Sequence, residues 1–276
     1  MSVLEIVGII ALVYLGISIL LYYFQEFAIF HPEKLGKDFE YQFDADFEEV
    51  YIPTTDGATL NALLFKKENS KGLVFYFKGN TRSIKGWGKF SRDFLSKDFD
   101  FFVFDYRGFG KSKGKRSERN FHKDGHAAYE WLLKHHYKEE NIIIYGRSMG
   151  SGFAARIASR HNPKMLILDS PYYSLYHMAK RFLPFFPVMS IFNYHVRTDI
   201  FIRSIRCPIF IIHGMKDRLI PYRHSLLLQK LNKRIQLIRI KKAGHNNLPS
   251  FTQYHNVMFE ILNETYTNEG DFDEIY

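Results

Sequence analysis

The feature that most constrains the fold is a short glycine-rich turn with a serine at its centre, at residues 146–150. Its sequence is Gly-Arg-Ser-Met-Gly, and it joins an apolar run at residues 142–145 to a stretch of small residues at 151–158. The pattern predicts a strand, a tight turn and a helix, with Ser148 at the apex. The two glycines remove the side chains that would clash in such a turn. We therefore expect the hydroxyl of Ser148 to stand exposed above the strand end, at a helix N-terminus.

A reactive serine needs a base, and the base needs an acid that orients it. In a strand–turn–helix arrangement of this kind, the acid and then the histidine follow the serine on loops after later strands. Asp217 lies in a loop after the predicted strand at residues 207–213, and His245 lies in a loop after the predicted strand at residues 235–240. The order and the loop positions indicate that Ser148, Asp217 and His245 form a catalytic triad.

Two other residues compete for the roles of base and acid. His213 ends the strand that leads to Asp217, and we expect it to be a packed strand-end histidine. Asp169 ends the predicted strand at residues 165–168, a position from which an acid can also reach the base. The loop of Asp217 fits the usual order of triad loops better, so Asp217 is favoured and Asp169 remains the alternative.

A serine of this kind also needs backbone N–H groups that bind the developing oxyanion. The residue after the serine, Met149, is the first candidate donor, and the loop after the predicted strand at residues 72–77 should supply the second. Gly79 allows close approach of the backbone there, so the N–H of Asn80 is the second candidate. The histidines and acids lack the spacing of a metal site, and no dinucleotide fingerprint is present, so we expect no metal and no cofactor.

Taken together, these segments resemble the α/β-hydrolase superfamily and, within it, the membrane-anchored α/β-hydrolase-domain proteins, a group that includes protein depalmitoylating thioesterases. The matching segments follow the family order over nearly the whole chain after the N-terminal anchor, at residues 78–80, 105–112, 146–152, 169–171, 213–217 and 243–246. The resemblance implies ester or thioester hydrolysis through an acyl-enzyme. The chain departs from the family at Lys78, where relatives usually have histidine, and we expect the Lys78 side chain to point to solvent.

The second strong signal is an uncharged apolar run of nineteen residues at positions 6–24. At about 1.5 Å per residue, a helix of this length just crosses a hydrocarbon layer of about 30 Å. An aromatic cluster at its end (Tyr22, Tyr23, Phe24) is typical of a membrane interface. The run lacks the preceding basic residues and the following cleavage site of a signal peptide. We therefore expect residues 1–30 to form a single-pass membrane anchor.

The orientation of this anchor follows from its flanking charges. No lysine or arginine precedes the apolar run, whereas Lys34 and Lys37 follow it. The positive-inside rule then places the C-terminal domain in the cytoplasm.

The remainder, residues 31–276, alternates strands with helices, which predicts one α/β-hydrolase domain with a mostly parallel sheet and helices on both faces. Helices are expected at residues 120–136, 149–159 and 251–262, and the Asp56-Gly57 pair predicts a hairpin. An aromatic-rich segment at residues 171–206 separates two strands by more than a usual connection. We expect it to form a short helical lid that lines a pocket for an acyl chain.

The net charge and the position of the basic residues indicate which anionic partners the protein can bind. The net charge is +9, and basic residues cluster at positions 111–119, whereas the acidic residues of the C-terminus lie at positions 269–274. For a chain tied to a bilayer, anionic lipid head groups are a nearer partner than nucleic acid. We therefore expect a possible contact with anionic lipid and no nucleic-acid binding.

The sequence thus predicts a membrane-anchored serine hydrolase that cleaves ester or thioester bonds of an acyl or lipid-like substrate. Two alternatives remain open. One is a serine peptidase of the same fold, and the other is a catalytically inactive hydrolase-like protein that binds a partner or lipid.

Overall fold

The structure is a computed structural model that describes residues 1–266, so the acidic positions 269–274 lie outside the described residues. Its eight strands are β1 (Phe47–Pro53), β2 (Thr59–Phe65), β3 (Leu73–Phe77), β4 (Asp100–Phe104), β5 (Ile142–Arg147), β6 (Met165–Asp169), β7 (Ile209–Gly214) and β8 (Ile235–Ile240). The helices are α1 (Val3–Ile29), α2 (Ile84–Trp87), α3 (Ser91–Leu95), α4 (Glu118–Lys134), α5 (Gly150–Ala158), α6 (Leu175–Phe182), α7 (Val188–Ile191), α8 (Thr198–Phe201), α9 (Arg223–Gln229) and α10 (Thr252–Leu262).

The strands form one sheet in the order β1-β2-β4-β3-β5-β6-β7-β8. Strand β2 pairs antiparallel with β1 and with β4, and every other pair is parallel. The hairpin expected at Asp56-Gly57 joins β1 to β2, with Gly57 at a φ of 82°. The prediction of a mostly parallel sheet with helices on both faces is confirmed. The helices are expected there, since parallel strands need crossover connections.

The sheet separates two apolar cores, and successive residues of each central strand enter opposite cores. In β3, Leu73 and Phe75 pack in the core that includes α4 and α5 residues, whereas Val74 and Tyr76 pack in the core that includes α3 and α10 residues. All five residues of β3 are buried. This explains why the central strands appear in the sequence as continuous apolar runs rather than as alternating ones.

Helix α1 begins with a capping box, in which Ser2 accepts from the N–H of Glu5 and the Glu5 carboxylate accepts from the N–H of Ser2. The helix is 27 residues long and is apolar and long enough to cross a membrane. Only Ser18 and Gln25 are buried along it. A helix with an apolar surface on nearly every side has no place in an aqueous environment, so α1 is a candidate membrane span.

The segment at residues 171–206 forms three short helices, α6, α7 and α8, between β6 and β7. Pro184 and Pro187 lie between α6 and α7, where the missing N–H groups prevent one continuous helix. The segment packs against α1 through a stacked pair of rings, Tyr14 and Phe186, whose centroids are 5.1 Å apart. We call residues 171–206 the insertion.

Two lysines are buried in the structure, Lys78, which was expected to point to solvent, and Lys111 of the basic cluster. Lys78 is fully buried with its ammonium 3.3 Å from Asp105 Oδ1 and 3.9 Å from the ring centroid of Phe109. The expectation that Lys78 points to solvent is therefore wrong. Lys111, the first residue of the basic cluster, is also buried and lies 2.8 Å from Glu49 Oε1. Neither ammonium is available to a lipid surface.

The pair of Lys78 and Asp105 holds three elements together. Lys78 directly follows β3, Asp105 directly follows β4, and both carboxylate oxygens of Asp105 accept from the N–H of Ile84 at the start of α2. Burial lowers the pKa of Lys78, and the nearby Asp105 carboxylate partly opposes that shift. Lys78 and Asp105 thus form a buried ion pair in which each charge must keep its partner.

We expect Lys78→Met to destabilise the protein by about 3–5 kcal/mol, because it leaves the Asp105 carboxylate buried without a counter-charge. Asp105→Asn should cost a similar amount, and the double variant should cost clearly less than the sum of the two. Denaturant unfolding in detergent gives the free energy of unfolding of the wild type and the three variants, which together form a double-mutant cycle. Additive losses would show that the two groups do not depend on each other.

The turn between β5 and α5 also depends on a close approach of backbones. A Cβ placed on Gly150 would lie 2.2 Å from the carbonyl oxygen of Phe77 and 2.6 Å from that of Lys78. Backbone carbonyls at the end of β3 cannot swing away as a flexible side chain can. The first residue of α5 must therefore be glycine for the turn to sit against β3.

Gly150→Ala should lower the free energy of unfolding by about 1–3 kcal/mol, because the added methyl group forces α5 and β3 apart. Gly36→Ala is the matched control, since a Cβ there meets nothing within 4 Å. Thermal unfolding of both variants in the same detergent measures the difference. Equal unfolding midpoints for Gly150→Ala and Gly36→Ala would contradict the close approach.

Candidate active site

The serine predicted at the apex of the turn has a strained backbone. Ser148 has a φ of 51°, in the left-handed region that residues other than glycine rarely adopt. Its N–H donates to Asp169 O at 2.9 Å, and its carbonyl accepts from the N–H of Ser151 at 3.0 Å and from the Ser151 hydroxyl at 2.6 Å. These bonds hold the turn in its strained conformation and leave the Ser148 side chain partly exposed.

The structure brings the three predicted triad residues together, although they lie far apart in the sequence. Ser148 Oγ lies 3.0 Å from His245 Nε2, and His245 Nδ1 lies 2.7 Å from Asp217 Oδ2. The Asp217 side chain is fully buried, whereas that of His245 is 11% exposed. The hydrogen bond at Nδ1 places that proton toward Asp217, which leaves Nε2 free to accept a proton from Ser148.

The loops that carry the base and the acid are joined to each other. The N–H of Lys216 donates to Ala243 O at 2.9 Å, and a Cβ on Gly214 would lie 2.4 Å from the same oxygen. The N–H of Gly244 donates to Asn247 Oδ1 at 2.7 Å, which holds the loop around His245. The separation of the acid and the base is thus fixed by backbone contacts between the ends of β7 and β8.

Asp217 remains ionised because its oxygens are fully used by donors. Burial alone would raise its pKa, but hydrogen bonds from His213 and His245, and the N–H of Ile220, hold the pKa of Asp217 well below its usual range. Asp217 Oδ1 accepts from the N–H groups of Leu219 and Ile220 at 2.9 and 2.8 Å. A carboxylate held in this way orients an imidazole and stabilises its cation without taking its proton.

His213, the rival base, is a second partner of Asp217. It is fully buried at the end of β7, with Nε2 2.9 Å from Ile220 O and 3.3 Å from Asp217 Oδ2. Its Nδ1 lies 2.6 Å from the hydroxyl of Ser225, which therefore donates to it. His213 is packed at a strand end, and its Nε2 lies near the same carboxylate oxygen of Asp217 that bonds to His245.

Asp169, the rival acid, faces a different partner. Its Oδ2 accepts from the Tyr145 hydroxyl at 3.0 Å and lies 3.6 Å from Arg147 Nε. The backbone carbonyl of Asp169 accepts from the N–H of Ser148. The side chain of Asp169 thus pairs with Arg147 rather than with His245, while its backbone supports the serine.

The two candidate oxyanion donors are Met149 and Asn80. Among the hydrogen bonds of the described residues, the backbone N–H groups of these two residues donate to no protein acceptor. Gly150, next to Met149, touches the carbonyl of Lys78, two residues before Asn80. The two N–H groups therefore belong to chain segments that are in contact, and both are available to a ligand oxygen.

Asn80 is tied to the end of helix α1, a link that the sequence did not reveal. Its side-chain Nδ2 donates to Ile29 O at 2.6 Å, and its carbonyl accepts from the N–H of His31 at 3.0 Å. The N–H of Arg82 donates to His31 O at 2.9 Å. The chain that leaves α1 thus runs beside the loop that carries the second candidate donor and fixes it.

The expectation that the histidines and acids lack a metal-like arrangement rested on spacing alone. In the structure, His126, Glu130 and His161 bring one ligand atom each within 4.8 Å of one another. His126 and Glu130 are one turn apart on α4, and the fold places His161 beside them. His161 Nδ1 lies 3.0 Å from Glu139 Oε1. This cluster shares no residue with the Ser148 site.

Comparison with known proteins shows which proteins the chain resembles. A family model described as "Serine aminopeptidase, S33" matches residues 68–199. Alpha/beta hydrolase domain-containing protein 17B from Homo sapiens is 28% identical over 232 residues, which is 82% of this chain and 78% of that protein. Protein 17C of the same name from Xenopus tropicalis is 29% identical over 223 residues, 79% of this chain and 71% of that protein.

Solved structures show the same fold. An esterase from Pyrococcus furiosus superimposes with a TM-score of 0.68 at 22% identity, and covers 85% of this chain and 98% of its own. An acylaminoacyl peptidase from Pyrococcus horikoshii superimposes with a TM-score of 0.61 at 15% identity over 84% of this chain, which corresponds to 43% of the peptidase chain. With its sheet order, its serine turn and these relatives, the chain belongs to the α/β-hydrolase superfamily.

Proposed function

We propose that this protein is a membrane-anchored serine hydrolase that cleaves carboxylic ester or thioester bonds of an acyl or lipid-like substrate through an acyl-enzyme. The observation that carries the proposal is the unbroken chain of hydrogen bonds from Ser148 Oγ through His245 to Asp217. An ordinary serine at a strand–helix turn needs no such partners. A hydrogen-bonded nucleophile, base and acid are the arrangement that activates a hydroxyl for attack.

The proposed reaction starts with attack of Ser148 Oγ on the acyl carbon, while His245 Nε2 takes the hydroxyl proton. Asp217 holds the imidazole in the required tautomer and stabilises the imidazolium that forms. The N–H groups of Met149 and Asn80 bind the negative oxygen of the tetrahedral intermediate. His245 then gives its proton to the leaving alcohol or thiol, and later takes a proton from water, which releases the acid and restores Ser148.

The choice of a lipid-like substrate rests on the insertion and its contacts with α1. Phe182, Phe185 and Met189 are 59%, 86% and 59% exposed. Such a group of large exposed apolar side chains is unusual on the surface of a soluble protein. The hydroxyl of Tyr14, within the apolar run of α1, donates to Phe185 O at 2.9 Å. The exposed apolar face of the insertion therefore continues that of α1, which supports a lid that meets the bilayer and receives an acyl chain.

The placement of the catalytic domain in the cytoplasm stays a proposal that rests on Lys34 and Lys37 after the apolar run. A peptidase is the second candidate function, because the matching family model is described as a serine aminopeptidase. Assays with aminoacyl anilides beside acyl esters separate the two candidates. The remaining alternative is an inactive binding protein. It is less well supported, because binding alone does not require a serine that is hydrogen-bonded to a base and an acid.

Ser148→Ala should reduce hydrolysis of acyl esters by about 10⁴-fold or more, because no other group can form the acyl-enzyme. The thermal unfolding midpoint should stay near that of the wild type. A fluorophosphonate probe should label the wild type and the control Ser204→Ala, but not Ser148→Ala. Undiminished turnover in Ser148→Ala would end the proposal, and a wild type that is neither labelled nor active would favour a binding protein.

The link between the insertion and α1 predicts a substrate-dependent effect. Tyr14→Ala removes both the hydrogen bond to Phe185 and the stacking on Phe186. The KM for a long-chain thioester of a lipidated peptide in vesicles should rise several-fold, whereas kcat/KM for a short-chain soluble ester should not change. Tyr23→Ala is the control, since Tyr23 is 73% exposed on the same helix. Equal effects on both substrates would contradict a lid that receives its substrate from the membrane.

A further inference from the structure

A groove of about 680 Å³ lies apart from the catalytic residues, between α4, α5 and the end of the insertion. Neither the triad nor the candidate oxyanion donors line it. Its wall combines the start of α4, the second half of α5 and two insertion residues, Asn193 and His195. The groove therefore joins three elements that are distant in the sequence, and the proposed hydrolysis does not use it.

The lining of the groove is strongly basic. Its positively charged or protonatable side chains outnumber its single carboxylate, Glu118, by seven to one, and they are Arg119, Lys123, Arg156, Arg160, His122, His126 and His195. Glu118 is already occupied, since its Oε2 accepts from the N–H groups of His195 and Val196 at 2.6 and 3.1 Å. The single negative charge of Glu118 does not balance the three arginines of the groove.

Several of these donors have no acceptor. In the part of the chain that the structure describes, the guanidinium groups of Arg119, Arg156 and Arg160 have no hydrogen-bond or ion-pair partner, and Arg156 only stacks on Phe201. Both ring nitrogens of His122 and Nε2 of His195 are buried without a hydrogen bond, although His122 Nε2 lies 3.6 Å from Glu118 Oε1. Buried polar atoms in proteins are nearly always paired, so Nδ1 of His122 and Nε2 of His195 indicate a missing partner, and the exposed guanidinium groups of Arg119 and Arg160 are free to bind the same ligand.

The crowding of like charges points in the same direction. Burial lowers the pKa of Arg156, and the neighbouring Arg160 guanidinium lowers it further. An anion between these side chains would relieve the repulsion and accept their hydrogen bonds. A divalent cation at His126, Glu130 and His161 would instead add positive charge beside the groove, so the electrostatics favour an anion.

The position of the groove relates it to helix α1. Arg116, next to the groove residue Ser117, pairs with Glu26 Oε2 at 3.0 Å, and the N–H of Asn193 donates to Gln25 Oε1 at 2.6 Å. Gln25 and Glu26 directly follow the uncharged run at residues 6–24. If α1 spans the bilayer, the rim of the groove lies at the level of the lipid head groups.

We propose that this groove binds a phosphate group, and that the phosphate is the head group of an anionic lipid in the membrane that α1 enters. Phosphate offers several acceptor oxygens in a geometry that matches the planar fork of guanidinium groups. The lipid source rests on the proposed membrane anchoring, whereas the binding of phosphate does not. The exposed lysines of the 111–119 cluster do not line the groove, and of the basic residues in that cluster only Arg119 does.

The first test measures phosphate binding by the full chain in a non-ionic detergent. Titration calorimetry with inorganic phosphate compares the wild type with Arg119→Glu/Arg160→Glu, in which both changed side chains are exposed and should not disturb folding. Arg206→Glu/Lys230→Glu is the control, because it makes the same change of charge outside the groove. We expect at least tenfold weaker binding in the groove variant and no change in the control. Equal binding by the wild type and the groove variant would overturn the proposal.

The second test separates the sources of phosphate. Each variant is incubated in detergent micelles doped with equal amounts of phosphatidic acid and phosphatidylcholine and is then transferred to lipid-free micelles. Native mass spectrometry counts the lipids that remain bound to each variant. We expect the wild type and the control to retain phosphatidic acid in preference to phosphatidylcholine. In the groove variant the ratio of bound phosphatidic acid to bound phosphatidylcholine should fall at least tenfold. Phosphate binding without lipid retention would identify a soluble phosphate compound and overturn the lipid source. Fluorophosphonate labelling of Ser148 should be equal in all variants, so failure of the groove leaves the proposed hydrolase untouched.

Discussion

The strained turn at Ser148 is the constraint on which the rest of the structure depends. A non-glycine residue with a φ of 51° persists only where its surroundings hold it, and here the Asp169 carbonyl and the Ser151 side chain do so. The close contact of Gly150 with the end of β3 then fixes α5 against the centre of the sheet. Because β3, β5 and β6 are neighbours, the serine, the candidate oxyanion loop and the backbone support from β6 meet at one edge.

The same edge is tied to the N-terminal helix. The chain that leaves α1 exchanges hydrogen bonds with Asn80 through Ile29 and His31, so the candidate oxyanion donor and the candidate membrane span share a short stretch of backbone. The buried pair of Lys78 and Asp105 supports this loop from below, through the start of α2. A helix that served only to hold the protein at a membrane would not need these bonds. Helix α1 and the candidate site are therefore parts of one structural unit.

Local pattern was enough to predict the strands and the longer helices, and to select Ser148, Asp217 and His245, because each lies in a loop or turn that follows a strand with a clear apolar signature. The expected helix at residues 120–136 corresponds to α4 (Glu118–Lys134), with its start displaced to the Ser117 cap. What the sequence could not predict depends on tertiary contacts. Lys78 and Lys111 look like solvent-facing lysines until Asp105 and Glu49 meet them across the fold.

The polar residues at the end of α1 show how these parts act together. Gln25 bonds both to Ile191 O and to the N–H of Asn193, and Glu26 accepts from the Tyr194 hydroxyl. These bonds fix the insertion to the C-terminal end of α1, just beyond the uncharged run. The insertion contacts the uncharged run itself at Tyr14, beside the exposed Phe185, whereas the groove residue Asn193 bonds to Gln25 just after that run. An amphipathic molecule with an acyl chain and a phosphate matches this order of surfaces, because burial favours its chain in the apolar layer and its charge beside the arginines.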